Sequence, residues 1–467
     1  MKISIATIWM LFICLMISAC DNPQTRMPDK FKKALPPKPV KIKPFEKLPD
    51  IVLLFTGQNS GKLEVCNCSG PMPGGFARRS GLFASYRASY PKSLIIDTGD
   101  LFTIFEKSVA NKFVAKAYRL MGYDAIMIGD QEMLPGDKIL AEILKKNKLV
   151  ALASNLTFKN DKLKGLTKKV VTYETNKTKL AVFSVTLPSA FIFLPEKIRK
   201  QFKIESYKKV QHLADKYKKA GYCIGIILHG DADEAAAIAN KMKANFFIRG
   251  HTELTEEEPL FSKAGTPIYL VGTPDDVGVL AISKQENASY NFEFRNVVVD
   301  EEFPIDKRML EIYQAYAHAE MRNRLDAPRK KGLKFVPSST CGECHPKQYE
   351  IWKKSKHAKA WQSLVKVNRT IDPNCVSCHS LGFGMEGGFY TFRKTPKLAG
   401  VHCQNCHRIN IDQHTKPSFK YKPVTADVCE TCHTPVTDPK FLFREKKRFK
   451  DMGCPNGKGK CPSKTQK

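Results

Sequence analysis

Four Cys-x-x-Cys-His pentads occupy the last third of the chain: Cys341-Gly342-Glu343-Cys344-His345, Cys375-Val376-Ser377-Cys378-His379, Cys403-Gln404-Asn405-Cys406-His407 and Cys429-Glu430-Thr431-Cys432-His433. In each, two thiols can form thioethers with haem vinyl groups, and the next imidazole can swing under the iron as proximal ligand. Structural zinc needs only four ligands and has no use for a histidine after every second cysteine. The pattern predicts four c-type haems. Macrocycles packed into residues 339–436 must supply much of that core themselves, so a small, mostly helical domain with little sheet is expected.

Haem is attached after export, and the amino terminus suits export. Lys2 precedes an apolar run from Ile3 to Ala19 that is too short for a stable spanning helix. Its end, Ile17-Ser18-Ala19-Cys20, resembles the lipobox of bacterial lipoproteins. That resemblance implies a signal peptide over 1–19 and a diacylglyceryl group on Cys20, with further acyl chains giving firm anchoring. Asp21 favours retention at the inner membrane. Residues 20–49, rich in proline and lysine, read as an extended charged tether. The expected location is the periplasmic side of a bacterial membrane.

Of 15 cysteines, Cys14 belongs to the signal, Cys20 takes lipid and eight carry haem. Cys66, Cys68, Cys223, Cys454 and Cys461 remain, and the last two suit a disulfide in an oxidising compartment. The formal charge is +30. In a cytosolic chain this would suggest nucleic acid. Outside the cytoplasm nucleic acid is excluded, and propionates would offset roughly eight charges at two per haem. The remaining charge suits anionic headgroups or an acidic redox partner.

Residues 50–302 alternate short β runs with amphipathic helical stretches. Ile51–Phe55, Ser93–Ile96, Ala125–Ile128, Lys179–Phe183, Ile224–Leu228 and Phe246–Ile248 each end in polar or glycine-bearing turns. Buried strands with functional loops at their carboxyl ends predict a layered α/β domain. The turns Gly61-Lys62-Leu63-Glu64-Val65-Cys66-Asn67-Cys68, Gly74-Gly75-Phe76-Ala77-Arg78-Arg79, Asp97-Thr98-Gly99-Asp100, Met121-Gly122-Tyr123-Asp124, Ala153-Ser154-Asn155-Leu156 and Gly250-His251-Thr252-Glu253 resemble the 5′-nucleotidase branch of the calcineurin-like metallophosphoesterases. The resemblance implies an α/β/β/α sandwich.

That family places two metals on an Asp-x-His, a Gly-Asp, a Gly-Asn-His-Glu, a lone His and a Gly-His-x-His, so that ions sit on both the attacking and leaving oxygens. This chain departs from the pattern. Gln58 and Ser60 stand where the first Asp and His belong, Gly129-Asp130-Gln131-Glu132 replaces Gly-Asn-His-Glu, and Glu253 replaces the last His. Asp100, Asp130, His229 and His251 are left for one divalent metal, with Gln58, Ser60 and Glu253 as a poor set for a second. Gln131 cannot supply a proton to a leaving group. The domain thus reads as a degenerate phosphoesterase, and no catalytic residue is assigned. Gly57 to Lys62 only mimics a phosphate-binding loop, because Leu63 stands where Ser or Thr must hold magnesium. Cys66 and Cys68 are open to a structural, redox or soft-metal role.

Residues 303–338 form a link, with a helix expected from Ile305 to about Arg324 on apolar spacing at Met309, Ile312, Tyr313 and Tyr316, and a break at Arg329-Lys330-Lys331-Gly332. The run from Cys341 to Ala358, with Gly400-Val401-His402-Cys403, resembles the nitrifier-type tetrahaem cytochromes c. By that resemblance His357, after Trp352-Lys353-Lys354-Ser355-Lys356, is a distal ligand. His402, His414 and His318 complete a set of four. Residues 437–467 are a basic tail.

Ligation decides the chemistry. Bis-histidine iron shuttles single electrons, whereas an iron with one histidine leaves a position for a small molecule. The leading reading is an anchored periplasmic electron carrier whose α/β part docks a partner or ligand. The alternatives are an oxidoreductase acting on a small nitrogen species or oxyanion, and a phosphoesterase with an appended cytochrome.

Overall fold

The computed structural model describes residues 35–64, 74–105, 108–252, 256–331, 333–414, 416, 418–420, 424–434 and 437–438. Cys20, Cys66, Cys68, Glu253, Cys454, Cys461 and the signal segment lie outside them. Among the described residues, no helix is long and apolar enough to cross a membrane.

The strands in chain order are β1 (Ile51–Thr56), β2 (Ser93–Asp97), β3 (Ala125–Met127), β4 (Ala151–Leu152), β5 (Leu156–Phe158), β6 (Thr167–Lys168), β7 (Val171–Glu174), β8 (Lys179–Thr186), β9 (Phe202–Ile204), β10 (Tyr222–His229), β11 (Phe246–Gly250), β12 (Leu260–Phe261), β13 (Pro267–Leu270), β14 (Asp276–Lys284) and β15 (Tyr290–Val298). One sheet runs β15-β14-β1-β2-β3-β4-β6, and a second runs β12-β13-β11-β10-β8-β7. From β1 to β6 the first sheet is parallel, as is β8-β10-β11-β13 in the second. The antiparallel hairpin β14–β15 completes one edge.

Strand alternation builds the layers. Ile51, Leu53 and Phe55 of β1 point between the sheets, where they meet Leu180, Val182, Phe246 and Ile248. Val52 and Leu54 point the other way, toward Phe76, Leu82, Phe83, Val114 and Tyr118 on helices Gly75–Ser89 and Ala110–Met121. On the second sheet Phe183, Val185, Ile224 and Ile226 pack outward on Val210, Ala214, Ala235 and Ile238. With both faces of each sheet covered, the strands are continuous apolar runs. Each fully buried Phe, Leu or Ile contributes about 1.5–3 kcal/mol. The four layers α/β/β/α match the expected sandwich.

The linking helix runs Lys307–Asp326, two residues later than its spacing suggested. Asp306 caps it by accepting from Arg308 N–H, and Ser80 Oγ donates to the same carboxylate at 2.6 Å. Met309 and Ile312 enter the helical layer of the large domain, with Tyr313 and Tyr316 against it. Beyond, the chain is short helices and turns, with the isolated bridges Lys330–Met385 and Ser380–Ala399 as its strand-like pairings among the described residues. Its side-chain core is one cluster of Trp361, Leu364, Val376, Leu381, Phe389 and Leu398.

Candidate metal centre and haem sites

Asp100, Asp130, His229 and His251 converge with ligand atoms all within 4.8 Å of one another. Each follows or ends a parallel strand at its carboxyl end: Asp100 after β2, Asp130 at the start of helix Asp130–Met133 after β3, His229 ending β10 and His251 after β11. Side chains of open α/β sheets meet ligands at that edge. His229 Nε2 lies 3.2 Å from Asp130 Oδ1 and 3.6 Å from Asp100 Oδ1. His251 Nδ1 lies 2.9 Å from Asp100 Oδ2 and 3.5 Å from Asp130 Oδ1.

His229 is oriented from behind. Its Nδ1 is 2.9 Å from the Thr98 carbonyl, an obligate acceptor, so Nδ1 carries hydrogen and Nε2 faces the carboxylates. Glycines make room for the ring, because a Cβ on Gly99 would come 2.5 Å from His229 Cε1 and one on Gly129 2.4 Å from Nε2. Burial disfavours charge on His229, but Asp100, Asp130 and Glu132 outweigh it and push the imidazole up to about 10. Burial likewise works against the Asp100 anion, yet His229 and His251 hold it below the ordinary carboxylate range.

The surroundings point to a cation. Asp100 Oδ1, inside the cluster, is buried without a hydrogen-bond partner, a costly state for a carboxylate oxygen. Four site residues other than glycine hold left-handed backbone: Gln58 (φ 52°), Ser60 (49°), Asp100 (59°) and His251 (54°). Such strain costs of order 1 kcal/mol or more each and gathers at functional sites. Two imidazoles and two carboxylates suit one divalent transition ion. For a second ion, Gln58 and Ser60 are close by, since Ser60 N–H donates to the Asp100 carbonyl at 2.7 Å, but they bring no charge. Their partner Glu253 lies outside the described residues.

Sequence reasoning left Glu132 without a role. It is fully buried. Its Oε1 accepts from Leu101 N at 2.7 Å and Phe102 N at 3.3 Å, and its Oε2 from Gly129 N at 2.9 Å and Asp100 N at 3.3 Å. Glu132 therefore clamps the strained Asp100 turn to the loop carrying Asp130. The available signal was a carboxylate two places after Asp130 on a short buried helix. A second missed network lies beneath: Asp97 accepts from Thr56 and Tyr118, and Tyr123 hydroxyl joins Thr56 to buried Arg79.

The pentads sit on short helices, Ser338–Cys344, Pro373–Cys378, Cys403–His407 and Ala426–Glu430. Folding interleaves them. The Cys341 sulfur lies beside that of Cys403, and the Cys432 sulfur beside that of Cys378, so the first pentad adjoins the third and the second adjoins the fourth. His345 Nε2 faces His414 Nε2 at 3.5 Å. His357 faces His433 with ring centroids 6.2 Å apart. The other two distal candidates stand differently. Both His402 nitrogens are engaged, Nδ1 accepting from Ser338 N at 3.1 Å and Nε2 lying 3.3 Å from the Ala399 carbonyl, and the ring is tilted over Trp352. His318 is exposed on the linking helix. His379 Nδ1 donates to the Ala360 carbonyl at 2.8 Å, and among the described residues no second imidazole makes ring contact with it.

A family model for cytochrome c554 and c-prime matches residues 340–408, which hold the first three pentads. Cytochrome c-554 of Nitrosomonas europaea is 38% identical over 88 aligned residues, covering 16% of this chain and 37% of that protein. The chain thus matches little more than a third of that relative's length. A 5′-nucleotidase precursor from Thermus thermophilus superposes with a TM-score of 0.52 at 19% identity, over 61% of this chain and 62% of that one. The sulfate thiohydrolase SoxB of the same organism gives 0.52 at 15% identity, over 65% and 69%. At these identities the likeness to both structures is one of fold. Together the matches make the chain a fusion of an N-terminal domain with the 5′-nucleotidase and calcineurin-like phosphoesterase fold and a C-terminal cytochrome c554 domain, a family that implies c-type haems.

Proposed function

We propose that the chain is a multihaem cytochrome that transfers electrons on the periplasmic side of a bacterial membrane, anchored through Cys20, with four haems on its four pentads. The phosphoesterase-like domain holds one divalent metal on Asp100, Asp130, His229 and His251 and serves to dock a ligand or an acidic redox partner. The observation that carries the electron-transfer reading is the pairing of imidazoles across the haem region, His345 with His414 and His357 with His433. A haem held on both faces is saturated and passes single electrons without binding substrate. The test is the mass and visible spectrum of the exported protein. Four haem increments plus a lipid increment on Cys20, with split reduced bands, are expected. A colourless chain of bare polypeptide mass refutes it.

One observation favours a second role on the same scaffold. His379 Nδ1 is held by the Ala360 carbonyl and no second imidazole makes ring contact with it among the described residues, so the second haem is a candidate for a five-coordinate iron. Carbon monoxide added to the reduced protein should shift one haem and spare the rest. Efficient two-metal phosphoester hydrolysis is not supported by Gln58, Ser60 and Gln131, which bring neither charge nor a transferable proton. A chromogenic phosphate ester should be turned over no faster with metal than without.

A further inference from the structure

The loop behind the metal cluster carries Glu64, and Glu64 reaches the haem region. Gln58 N–H donates to Gly99, Ser60 N–H to Asp100 and Gly61 N–H to Leu101, so this loop is laced to the Asp100 turn. Beyond these bonds Glu64 Oε2 stands 3.7 Å from Arg369 Nη2, with side chains only 9% and 15% exposed. Its other oxygen has no hydrogen-bond partner. The Arg369 guanidinium lies 3.9 Å over the Tyr313 ring of the linking helix. Tyr313 hydroxyl in turn bonds Asp372, whose side chain caps helix Pro373–Cys378 by accepting from Asn374 N–H. Asp372 N–H donates to the Arg369 carbonyl at 3.1 Å. That helix carries Cys375 and Cys378 of the second pentad. A buried anion of one domain thus faces a buried cation at the foot of a haem-attachment helix in the other.

We infer that Glu64, through Arg369, tunes the reduction potential of the haem carried by Cys375 and Cys378. The inference rests on the proposed haem attachment at that pentad. Ferrous haem carries one positive charge fewer than ferric haem. A nearby cation therefore favours reduction, and an anion that neutralises the cation opposes it. In a half-desolvated setting such charges are weakly screened. Glu64 and Arg369 act on the haem through charge rather than as its ligands, and they make the large domain an electrostatic part of the cytochrome. Arg78 is the other cation facing Glu64. Burial pushes the Glu64 carboxyl up to about 7 against Arg369 and Arg78, so pH 8.5 is where its charge is established.

The test is an EPR-monitored redox titration of the full-length holoprotein at pH 8.5, comparing Glu64→Gln, Arg369→Gln, Arg369→Lys and the Glu64→Gln/Arg369→Gln double variant. Removing the anion should raise the potential of one haem, removing the cation should lower it, and the double variant should return near the parent. Arg369→Lys keeps the charge and should stay near the parent. A tenfold change in the reduction equilibrium is read as ~59 mV for one electron. Loosening of the interface alone would move both single variants the same way, and that result, or no movement in either, overturns the inference. Peptide mass distinguishes the premises. A Cys375–Cys378 peptide without haem overturns the attachment reading and the tuning with it, whereas a haem-bearing peptide with unmoved potentials overturns the tuning alone.

Discussion

Replacing Glu132 by glutamine isolates what holds the metal-binding turn. Four backbone N–H groups converge on its two oxygens, two on each, at 2.7, 3.3, 2.9 and 3.3 Å. Glutamine keeps one oxygen and puts an N–H₂ where the other stood, leaving two buried donors facing a donor. Each unsatisfied buried donor costs about 1–3 kcal/mol. The two 3.3 Å bonds are the weaker members, so a loss of about 3 kcal/mol is expected. Burial, with Asp100 adding to it, lifts the Glu132 carboxyl to about 8 against His229 and Gly129 N–H, so the comparison belongs at pH 9, where the anion prevails. Urea unfolding of the large domain followed by circular dichroism should show a lower midpoint with unchanged slope. Because the Asp100 turn is released from the Asp130 loop, manganese affinity measured by calorimetry should fall about 10–100-fold, as for other outer-shell changes. An unchanged midpoint together with unchanged manganese affinity refutes the clamp.

The parent should bind one manganese ion per chain by equilibrium dialysis, and His229→Ala should reduce this to background while leaving the haem spectrum intact. His357→Ala should add one carbon monoxide-reactive haem to the difference spectrum, because His433 then loses its facing imidazole. Trp361→Ala removes the largest side chain of the small haem-domain cluster and should destabilise that domain by about 3–5 kcal/mol in urea. Burial raises Asp97 from 3.8 to about 6 despite the Thr56 and Tyr118 hydroxyls, so the native state binds that proton more tightly than the unfolded chain. Its contribution to stability is then complete below about pH 4 and lost as pH climbs through 6. Asp97→Asn should flatten that part of the melting-temperature profile between pH 4 and 7.

Local pattern carried much of this protein. The six apolar runs read as strands are strands, because a strand buried on both faces must be apolar at successive positions and must stop where the backbone needs a turn. The linking helix was placed within two residues by its apolar spacing. Asp100, Asp130, His229 and His251 were legible because each stands at a motif position of the resembled family, and the structure brings the four together. Glu132 was not, since its importance lies in four N–H groups drawn from two separate turns. The distal histidines were named from a resemblance. His414, in a polar turn, ranked below His402, but packing against Ser338 and Trp352 engages His402 while His414 is brought opposite His345.

The sequence alone determined the spacing and count of the pentads and the layered character of the large domain, since these depend on residues within a few positions of each other. Tertiary structure alone decided which pentads adjoin, which imidazoles face one another and that Glu64 meets Arg369. Those contacts join residues far apart along the chain, and their proximity follows from how layers and helices pack, which no local spacing encodes.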